Sequence, residues 1–353
     1  MNENILRIVV FGIVTFLVAM LITPSYIRLL QRLKLAKKIR TEASLGGGKA
    51  TKYRALHIHK QGTPNMGGGM ILIVVAIMVL ATVFLKFIQG PLGFDLHYTL
   101  WNRNETYLPL FALFSMGILG GLDDYLNVRN IGGKKGMSAR VKMLGLTLFS
   151  FAGAWWFFTK LGHDSITIPG FGLVDIGWWY VGLSILVITA MANSVNITDG
   201  LDGLAGGLLA QNYFLYAFIT YNENLFLLST ICVVIAAALA AFLWFNIKPA
   251  QFYLGDAGAL GLGGGLAVMA LMTDTLVVLV IISLIYILEV VSVIIQIGSK
   301  KLRRGKKVFL IAPYHHHLEA KGMMEETIVM RFWLIGALLS ASGLIFYFLP
   351  PLW

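Results

Sequence analysis

Five aspartates lie at the ends of long apolar segments, where charged groups are rare: Asp123 and Asp124, Asp199 and Asp202, and Asp256. An ionised carboxylate is costly beside hydrocarbon, so we expect these side chains to face a shared, hydrated cation site. No Cys or His stands at metal-ligand spacing beside them, and oxygen ligands alone suit Mg²⁺ or Mn²⁺ better than zinc. A magnesium site in turn indicates a substrate that carries phosphate groups.

Each of these acids also has a simpler explanation. Adjacent helix residues diverge by about 100°, so Asp123 and Asp124 should have different partners, or both could snorkel to water. Thr198 or Asp199 could cap the next helix, while Asp199 and Asp202, at a spacing of i, i+3, would share a helix face. Asp256 could cap its own helix. Five acids at comparable positions favour the shared site over five separate explanations.

Two basic segments complete the set of candidate groups. Residues 57–69 place Lys60, Thr63 and several glycines just before an apolar run, as anion recognition requires, although a plain linker is the alternative. Residues 313–319 contain His315, His316 and His317. Three successive histidines cannot all point one way, so we predict that they contact a nucleotide rather than zinc, with a solvated loop as the alternative.

The composition shows what kind of scaffold holds these groups. Hydrophobic residues make up 58% of the chain and charged residues 13%, and the mean hydropathy is +0.78. These values predict an all-α polytopic integral membrane protein, with residues 1–353 as a single transmembrane domain. We predict ten spans, over 5–30, 66–88, 108–126, 141–161, 176–193, 201–221, 225–245, 257–272, 275–297 and 329–349.

The distribution of cations predicts the orientation. With both termini outside, 24 of the 28 Lys and Arg residues fall on the cytoplasmic side. The predicted cytoplasmic loops are about 31–65, 127–140, 194–203, 246–257 and 298–328, so all five clustered acids lie on one face. The formal charge of +11 therefore reflects topology and attraction to anionic lipids, not nucleic-acid binding.

Taken together, these motifs resemble the polyprenyl-phosphate N-acetylhexosamine 1-phosphate transferases over nearly the whole chain. The resemblance extends from Lys60 through the acidic pairs, Asn246 and Asp256 to the three histidines. The stretch from Gly62 to Gly68 and the triple histidine favour the muramoyl-pentapeptide branch of this family. The chain departs from the family pattern at Asn65, where Thr is usual, at Asn127, where Lys is frequent, and in a longer loop over 40–57.

The resemblance implies a reaction at the cytoplasmic face of the bacterial cytoplasmic membrane. The phosphate of undecaprenyl phosphate would attack the sugar-linked phosphate of UDP-N-acetylmuramoyl-pentapeptide, giving lipid I and UMP with Mg²⁺, or Mn²⁺ in its place. Asp256 is the implied metal ligand and Asp123 the implied base, supported by Asp124; an aspartyl-phosphate intermediate stays open. The implied substrate-binding residues are Lys60, Thr63, Asn196, Asp199, Gly200, Asp202, Asn246, His315, His316 and His317.

Two rival functions remain on the sequence alone. A sister transferase would use another UDP-sugar, and an ion-coupled transporter would use the acids as a cation relay. A relay would place acids near the middle of helices and on both faces, whereas these lie on one face. Besides the two substrates and the bilayer, the candidate partners are a second copy of the chain and the enzymes of lipid II synthesis.

Overall fold

The computed structural model describes residues 3–36, 60, 62–92, 98–129 and 136–349. Most of the predicted loop over 31–65 and the predicted outer C-terminus lie outside the described residues. The described residues form twelve α-helices: α1 (Glu3–Arg32), α2 (Gly68–Leu92), α3 (Tyr107–Arg129), α4 (Ala139–Lys160), α5 (Trp179–Thr198), α6 (Leu204–Asn222), α7 (Phe226–Asn246), α8 (Gly255–Met272), α9 (Leu276–Ile282), α10 (Leu284–Leu302), α11 (Tyr314–Ala320) and α12 (Glu325–Tyr347).

Seven of these helices are long and apolar enough to cross a bilayer: α1, α2, α4, α5, α7, α8 and α12. The predicted all-α polytopic membrane fold is thereby confirmed. α9 and α10 form an eighth candidate span, but they meet at Ser283 with a bend of 69°. The prediction of one helix over 275–297 is therefore wrong. α3 and α6 occupy the two other predicted spans without meeting the same criterion, so the count of ten stays a prediction.

The core lies around α8, almost all of whose residues are buried. Its glycines allow neighbouring backbones to approach closely, as small residues do between membrane helices. A Cβ on Gly261 would lie 2.6 Å from the carbonyl oxygen of Leu113 in α3, and one on Gly263 would lie 2.8 Å from that of Met191 in α5. This packing brings the first turn of α8 against the ends of α3 and α5, where the predicted site residues lie.

A short hairpin that the sequence did not predict lies between α4 and α5. Its strands β1 (Ser165–Ile168) and β2 (Gly172–Asp175) pair antiparallel. The backbone N–H of Thr167 donates to Oδ1 of Asp274 at 3.1 Å, and the Thr167 hydroxyl donates to the same carboxylate. This contact fixes the hairpin to the turn after α8, at the end of α8 opposite Asp256.

Candidate active site

The carboxylates of Asp123 and Asp256 meet at one lysine. Asp123 lies on α3, Asp256 in the first turn of α8 and Lys142 in the first turn of α4. The Nζ of Lys142 lies 3.0 Å from Oδ2 of Asp123 and also forms an ion pair with Oδ2 of Asp256. Asn196, near the end of α5, donates from Nδ2 to Oδ1 of Asp256 at 2.7 Å. We call Asp123, Lys142 and Asp256 the acidic centre.

Asp124 has different partners from its neighbour Asp123, as helix geometry predicts. Its Oδ1 accepts a hydrogen bond from Nδ2 of Asn65 at 2.7 Å, and its Oδ2 accepts one from the backbone N–H of Ala257 at 3.1 Å. Asp123 instead accepts at Oδ1 from the backbone N–H of Met137 at 2.6 Å. Asp124 is buried, so the alternative that it snorkels to water is wrong. Its bonds fix the start of α8 against α3.

Asp256 does not cap the helix on which it lies. The N-cap residue of α8 is Leu254, which makes no side-chain capping bond. The capping alternative for Asp256 is therefore wrong, and its carboxylate is bonded to Lys142 and Asn196 instead. Gly255, with φ of 71°, permits the close approach of Asp124, since a Cβ there would lie 2.6 Å from Oδ2 of that carboxylate.

The turn between α5 and α6 carries two aspartates that point to different partners. Asp199 accepts at Oδ2 from the backbone N–H of Gly255 at 3.0 Å. Asp202 accepts at Oδ2 from a backbone N–H in the loop before α8 at 3.1 Å. α6 begins after Gly203, with φ of 82° and no side-chain cap. The alternative that Thr198 or Asp199 caps α6 is wrong, and so is the prediction that the two acids share a helix face, because residues 199–203 form a turn.

A second lysine, Lys60, also lies between two carboxylates. Its Nζ is 2.7 Å from Oδ1 of Asp202 and forms an ion pair with Oε1 of Glu325, the first residue of α12. We call Lys60, Asp202 and Glu325 the lysine cluster. Burial lowers the pKa of Lys60, but the two carboxylates outweigh burial and raise its pKa above the ordinary value. The side chain is therefore a cation at neutral pH. Thr63 lies beside it and donates its backbone N–H to the Lys60 carbonyl at 3.4 Å.

Asn246, at the end of α7, is buried, and both the oxygen and the nitrogen of its side-chain amide form hydrogen bonds to backbone groups. Its Oδ1 accepts from the N–H of Gly203 at 3.0 Å, and its Nδ2 donates to the carbonyl of Phe252 at 2.8 Å. These bonds hold the turn that carries Asp202. A direct contact between Asn246 and a substrate stays a prediction.

The three histidines have three different partners, as expected for successive residues. His315 is fully buried, with Nδ1 3.0 Å from Oε2 of Glu289, which is also fully buried. The Nε2 of His315 faces Gly200 so closely that no side chain could replace that glycine's hydrogen. Two of the predicted substrate-binding residues, Gly200 and His315, are therefore in contact.

The other two histidines lie progressively closer to the surface. Nδ1 of His316 is 2.6 Å from Oε2 of Glu319. Nδ1 of His317 accepts a hydrogen bond from the backbone N–H of Leu310 at 3.1 Å. Burial, and then the positive charge of Lys321, lower the pKa of His317 below its ordinary value. His317 is therefore neutral at neutral pH, while the solvated-loop alternative is wrong for the buried His315 and His316.

Four side chains that hold the predicted groups in place were not predicted as site residues: Asn65, Lys142, Glu289 and Glu325. Asn65 lies inside the predicted segment 57–69, whereas Lys142, Glu289 and Glu325 lie outside the predicted motifs. Lys142 could have been identified from the sequence, because it lies at the start of the predicted span 141–161, on the same predicted cytoplasmic face as the aspartates. The long-range partners of the other three have no comparable sequence signal.

The acidic centre has the oxygen ligands that Mg²⁺ prefers. Within the described residues, no group of three or more His, Cys, Asp and Glu side chains is arranged to hold a metal ion. Mg²⁺ is nevertheless often bound by one or two carboxylates, with water and substrate phosphates completing its shell. Asp123 and Asp256, which converge on one cation, fit that pattern.

The sequence of the chain is similar to those of known proteins over most of its length. Residues 106–274 match the model for glycosyl transferase family 4. A phospho-N-acetylmuramoyl-pentapeptide-transferase from Geobacillus sp. (strain WCH70) is 36% identical over 337 residues, covering 94% of this chain and 95% of the relative. Proteins of the same name from Geobacillus thermodenitrificans (strain NG80-2) and Syntrophus aciditrophicus (strain SB) are 36% and 34% identical, over 96% of this chain and 97% and 93% of the relatives.

Proposed function

The chain belongs to the family of phospho-N-acetylmuramoyl-pentapeptide transferases, and we propose that it transfers phospho-N-acetylmuramoyl-pentapeptide from UDP to undecaprenyl phosphate. The products are lipid I, a precursor of peptidoglycan, and UMP. The observation that supports this reaction best is the convergence of Asp123, Lys142 and Asp256 at one point. Phosphoryl transfer depends on positioning and on neutralising charge, which such a centre supplies.

In the proposed reaction, Asp123 positions the lipid phosphate and accepts its proton. An oxygen of that phosphate forms a bond to the sugar-linked phosphorus, and the bond from this phosphorus to the bridging oxygen breaks. UMP leaves with the electron pair of that bond. The ammonium of Lys142, 3.0 Å from Oδ2 of Asp123, stabilises the negative charge on the phosphate oxygens.

Asp256 would hold Mg²⁺, or Mn²⁺ in its place, with Asp123 facing the same point. The bound ion would supply positive charge to the phosphate groups. The chain's own contribution is to fix the ligand: Asn196 bonds Oδ1 of Asp256 at 2.7 Å, and Asp124 bonds the backbone N–H of Ala257 beside it at 3.1 Å. Both hydrogen bonds hold the carboxylate of Asp256 close to the end of α3.

We assign binding of the nucleotide sugar to the residues beside the acidic centre, namely Lys60, the turn over 199–203 and the histidines of α11. Lys60 supplies a cation for the diphosphate, and Asp199 connects its turn to the acidic centre through Gly255. The neutral His317, beside Phe309 with ring centroids 5.3 Å apart, supplies a flat surface at the same end of the bundle. Gly200, packed against His315, keeps the turn close to α11.

We place the reaction at the cytoplasmic face of the bacterial cytoplasmic membrane. The count of 24 cations against 4 supports this placement. A periplasm-active reporter fused after Trp353 should be active, and one fused within Ser299 to Arg304 should be silent. The opposite result at either point would contradict the topology. A second copy of the chain and the enzymes of lipid II synthesis stay predicted partners.

The test of the function is UMP release by the purified protein with undecaprenyl phosphate and Mg²⁺. We expect release with UDP-N-acetylmuramoyl-pentapeptide and not with other UDP-N-acetylhexosamines. Release with another UDP-sugar only would favour the sister transferase. Stoichiometric UMP release without undecaprenyl phosphate would favour the aspartyl-phosphate intermediate over direct attack.

A further inference from the structure

The carboxylate of Glu325 contacts two residues that we assign to nucleotide-sugar binding, Lys60 and Asp202. Its Oε1 accepts from the ammonium of Lys60 and from the backbone N–H of Asp202, the latter at 2.8 Å. Its Oε2 lies 3.5 Å from Nζ of Lys248, and its side chain is only 4% exposed. One side chain thus joins the start of α12 to Lys60, before α2, and to the turn after α5.

Glu325 lies at the N-terminal end of its helix. It is the first residue of α12, where the partial positive charge of a helix N-terminus stabilises a carboxylate. The N-cap residue, Met324, makes no side-chain capping bond. A buried charge is tolerated when it is paired and hydrogen-bonded, and Lys60 and Asp202 provide those partners.

The contact with Lys60 has a consequence for ligand binding. An ammonium group has three N–H donors. Two of them are directed at Asp202 and Glu325, which leaves one donor for an oxygen of a ligand. Losing one carboxylate would free the ammonium to take other positions, and it would also release the N–H of Asp202.

We propose that Glu325 is a positioning residue for the nucleotide sugar, acting through Lys60 and the turn that carries Asp202. This inference rests on the proposed function. In the described part of the chain, the hydrogen bonds and ion pairs of Glu325 go to Lys60, Asp202 and Lys248 and not to the acidic centre. Its removal should therefore change nucleotide binding and leave the chemical step and the lipid site unaffected.

The test compares Glu325→Gln with Glu326→Gln. Glu326 is the neighbouring exposed acid, and it pairs with Lys248 at 2.8 Å. We expect Glu325→Gln to raise the KM for UDP-N-acetylmuramoyl-pentapeptide about tenfold, as loss of a charge-assisted hydrogen bond does. Its kcat and its KM for undecaprenyl phosphate should stay within about twofold of wild type. Glu326→Gln should match wild type in all three constants.

A double-mutant cycle shows whether Glu325 acts through Lys60. In a Lys60→Met background, Glu325→Gln should raise the nucleotide KM by clearly less than the roughly tenfold expected in the wild-type background, because the ammonium that it positions is gone and only its bond to the N–H of Asp202 remains. An equal fall in kcat, a matching rise in the lipid KM, or an undiminished effect in the Lys60→Met background would each overturn the proposal. If Glu325→Gln does not fold, Glu325→Asp, which keeps the charge on a shorter side chain, carries the same measurements.

The wild-type protein separates this inference from the proposed function. If wild type releases no UMP from UDP-N-acetylmuramoyl-pentapeptide, the proposed function is wrong, and the role of Glu325 in it falls as well. If wild type is active and Glu325→Gln has an unchanged nucleotide KM, only the positioning role is wrong.

Discussion

The acidic centre and the lysine cluster contain the same charged groups in the same arrangement, one lysine between two carboxylates, but they differ in exposure. In the acidic centre the side chains of Asp123, Lys142 and Asp256 are 13%, 16% and 26% exposed. In the lysine cluster those of Asp202, Lys60 and Glu325 are 4%, 9% and 4% exposed. Ligand oxygens or a cation can therefore reach the first group more easily than the second.

The two groups also differ in what they connect. The acidic centre joins three helices, α3, α4 and α8, and the close packing of α3 against α8 fixes two of them. The lysine cluster joins a residue before α2, a turn and the first residue of α12. We infer that the same ion-pair arrangement serves chemistry where it is accessible and holds loop segments together where it is buried.

Asp256→Asn tests the accessible group most severely. The amide keeps the size of the side chain but loses the charge that a metal ion needs, so we expect kcat to fall by about 10³-fold or more. The melting temperature in detergent should match wild type. Near-normal UMP release at equal thermal stability would remove Asp256 from the metal site.

Lys142→Met should produce the next largest loss. Without the ammonium, Asp123 and Asp256 repel each other and the phosphate oxygens lose a cation, so kcat should fall by about 10²-fold. The nucleotide KM should change little, since Lys142 has no contact with the lysine cluster among the described residues. Steady-state kinetics with each substrate varied in turn measures both. A selective rise in nucleotide KM would show that the two groups act as one site.

Lys60→Met should affect stability more strongly than Lys142→Met does. It leaves the carboxylate of Asp202 buried without its cation and leaves Glu325 with Lys248 at 3.5 Å, and such a loss costs about 3 kcal/mol of unfolding free energy. The cost at Lys142 should be smaller because water reaches its partners. Melting temperatures of the two variants in one detergent give the comparison, and equal shifts would contradict the inferred difference between the groups.

The sequence predicts two members of each group and misses the third, Lys142 in the acidic centre and Glu325 in the lysine cluster, and the reason is physical. Acids at the ends of apolar runs are conspicuous, so Asp123, Asp124 and Asp256 could be identified without a structure. Their adjacent positions on one helix also predicted that Asp123 and Asp124 would diverge. By contrast, Lys60 and Glu325 are 265 positions apart, and no local pattern links them.

The helices could be predicted because runs of apolar residues mark them. The break between α9 and α10 and the contacts of the turn over 199–203 could not. The break at Ser283 carries neither Pro nor Gly, so nothing in the sequence indicates a bend of 69°. Capping was the local alternative for the acids at 199–203, but long-range bonds to Gly255 and Lys60 decide where Asp199 and Asp202 point. Tertiary contacts outweighed the local capping preference.

The smallest expected effect concerns the pH dependence of the buried group. The carboxylates raise the pKa of Lys60 above its unfolded value of about 10.4. Its ion pairs therefore contribute their full stabilisation below that pH and lose it as the pH rises through the folded-state pKa. The difference in melting temperature between wild type and Lys60→Met should stay constant from about pH 7 to about pH 9 and narrow only above about pH 10.4.

Lys307→Met is the matched control for this titration, because Lys307 is exposed in the basic loop after α10. Its melting temperature should follow that of wild type at every pH, since exposed charges contribute little to stability. A difference between wild type and Lys60→Met that narrows already near pH 8 would mean that burial outweighs the two carboxylates at Lys60. The lysine cluster would then lose its cation under mildly basic conditions, and it could not hold the turn and α12 together by charge.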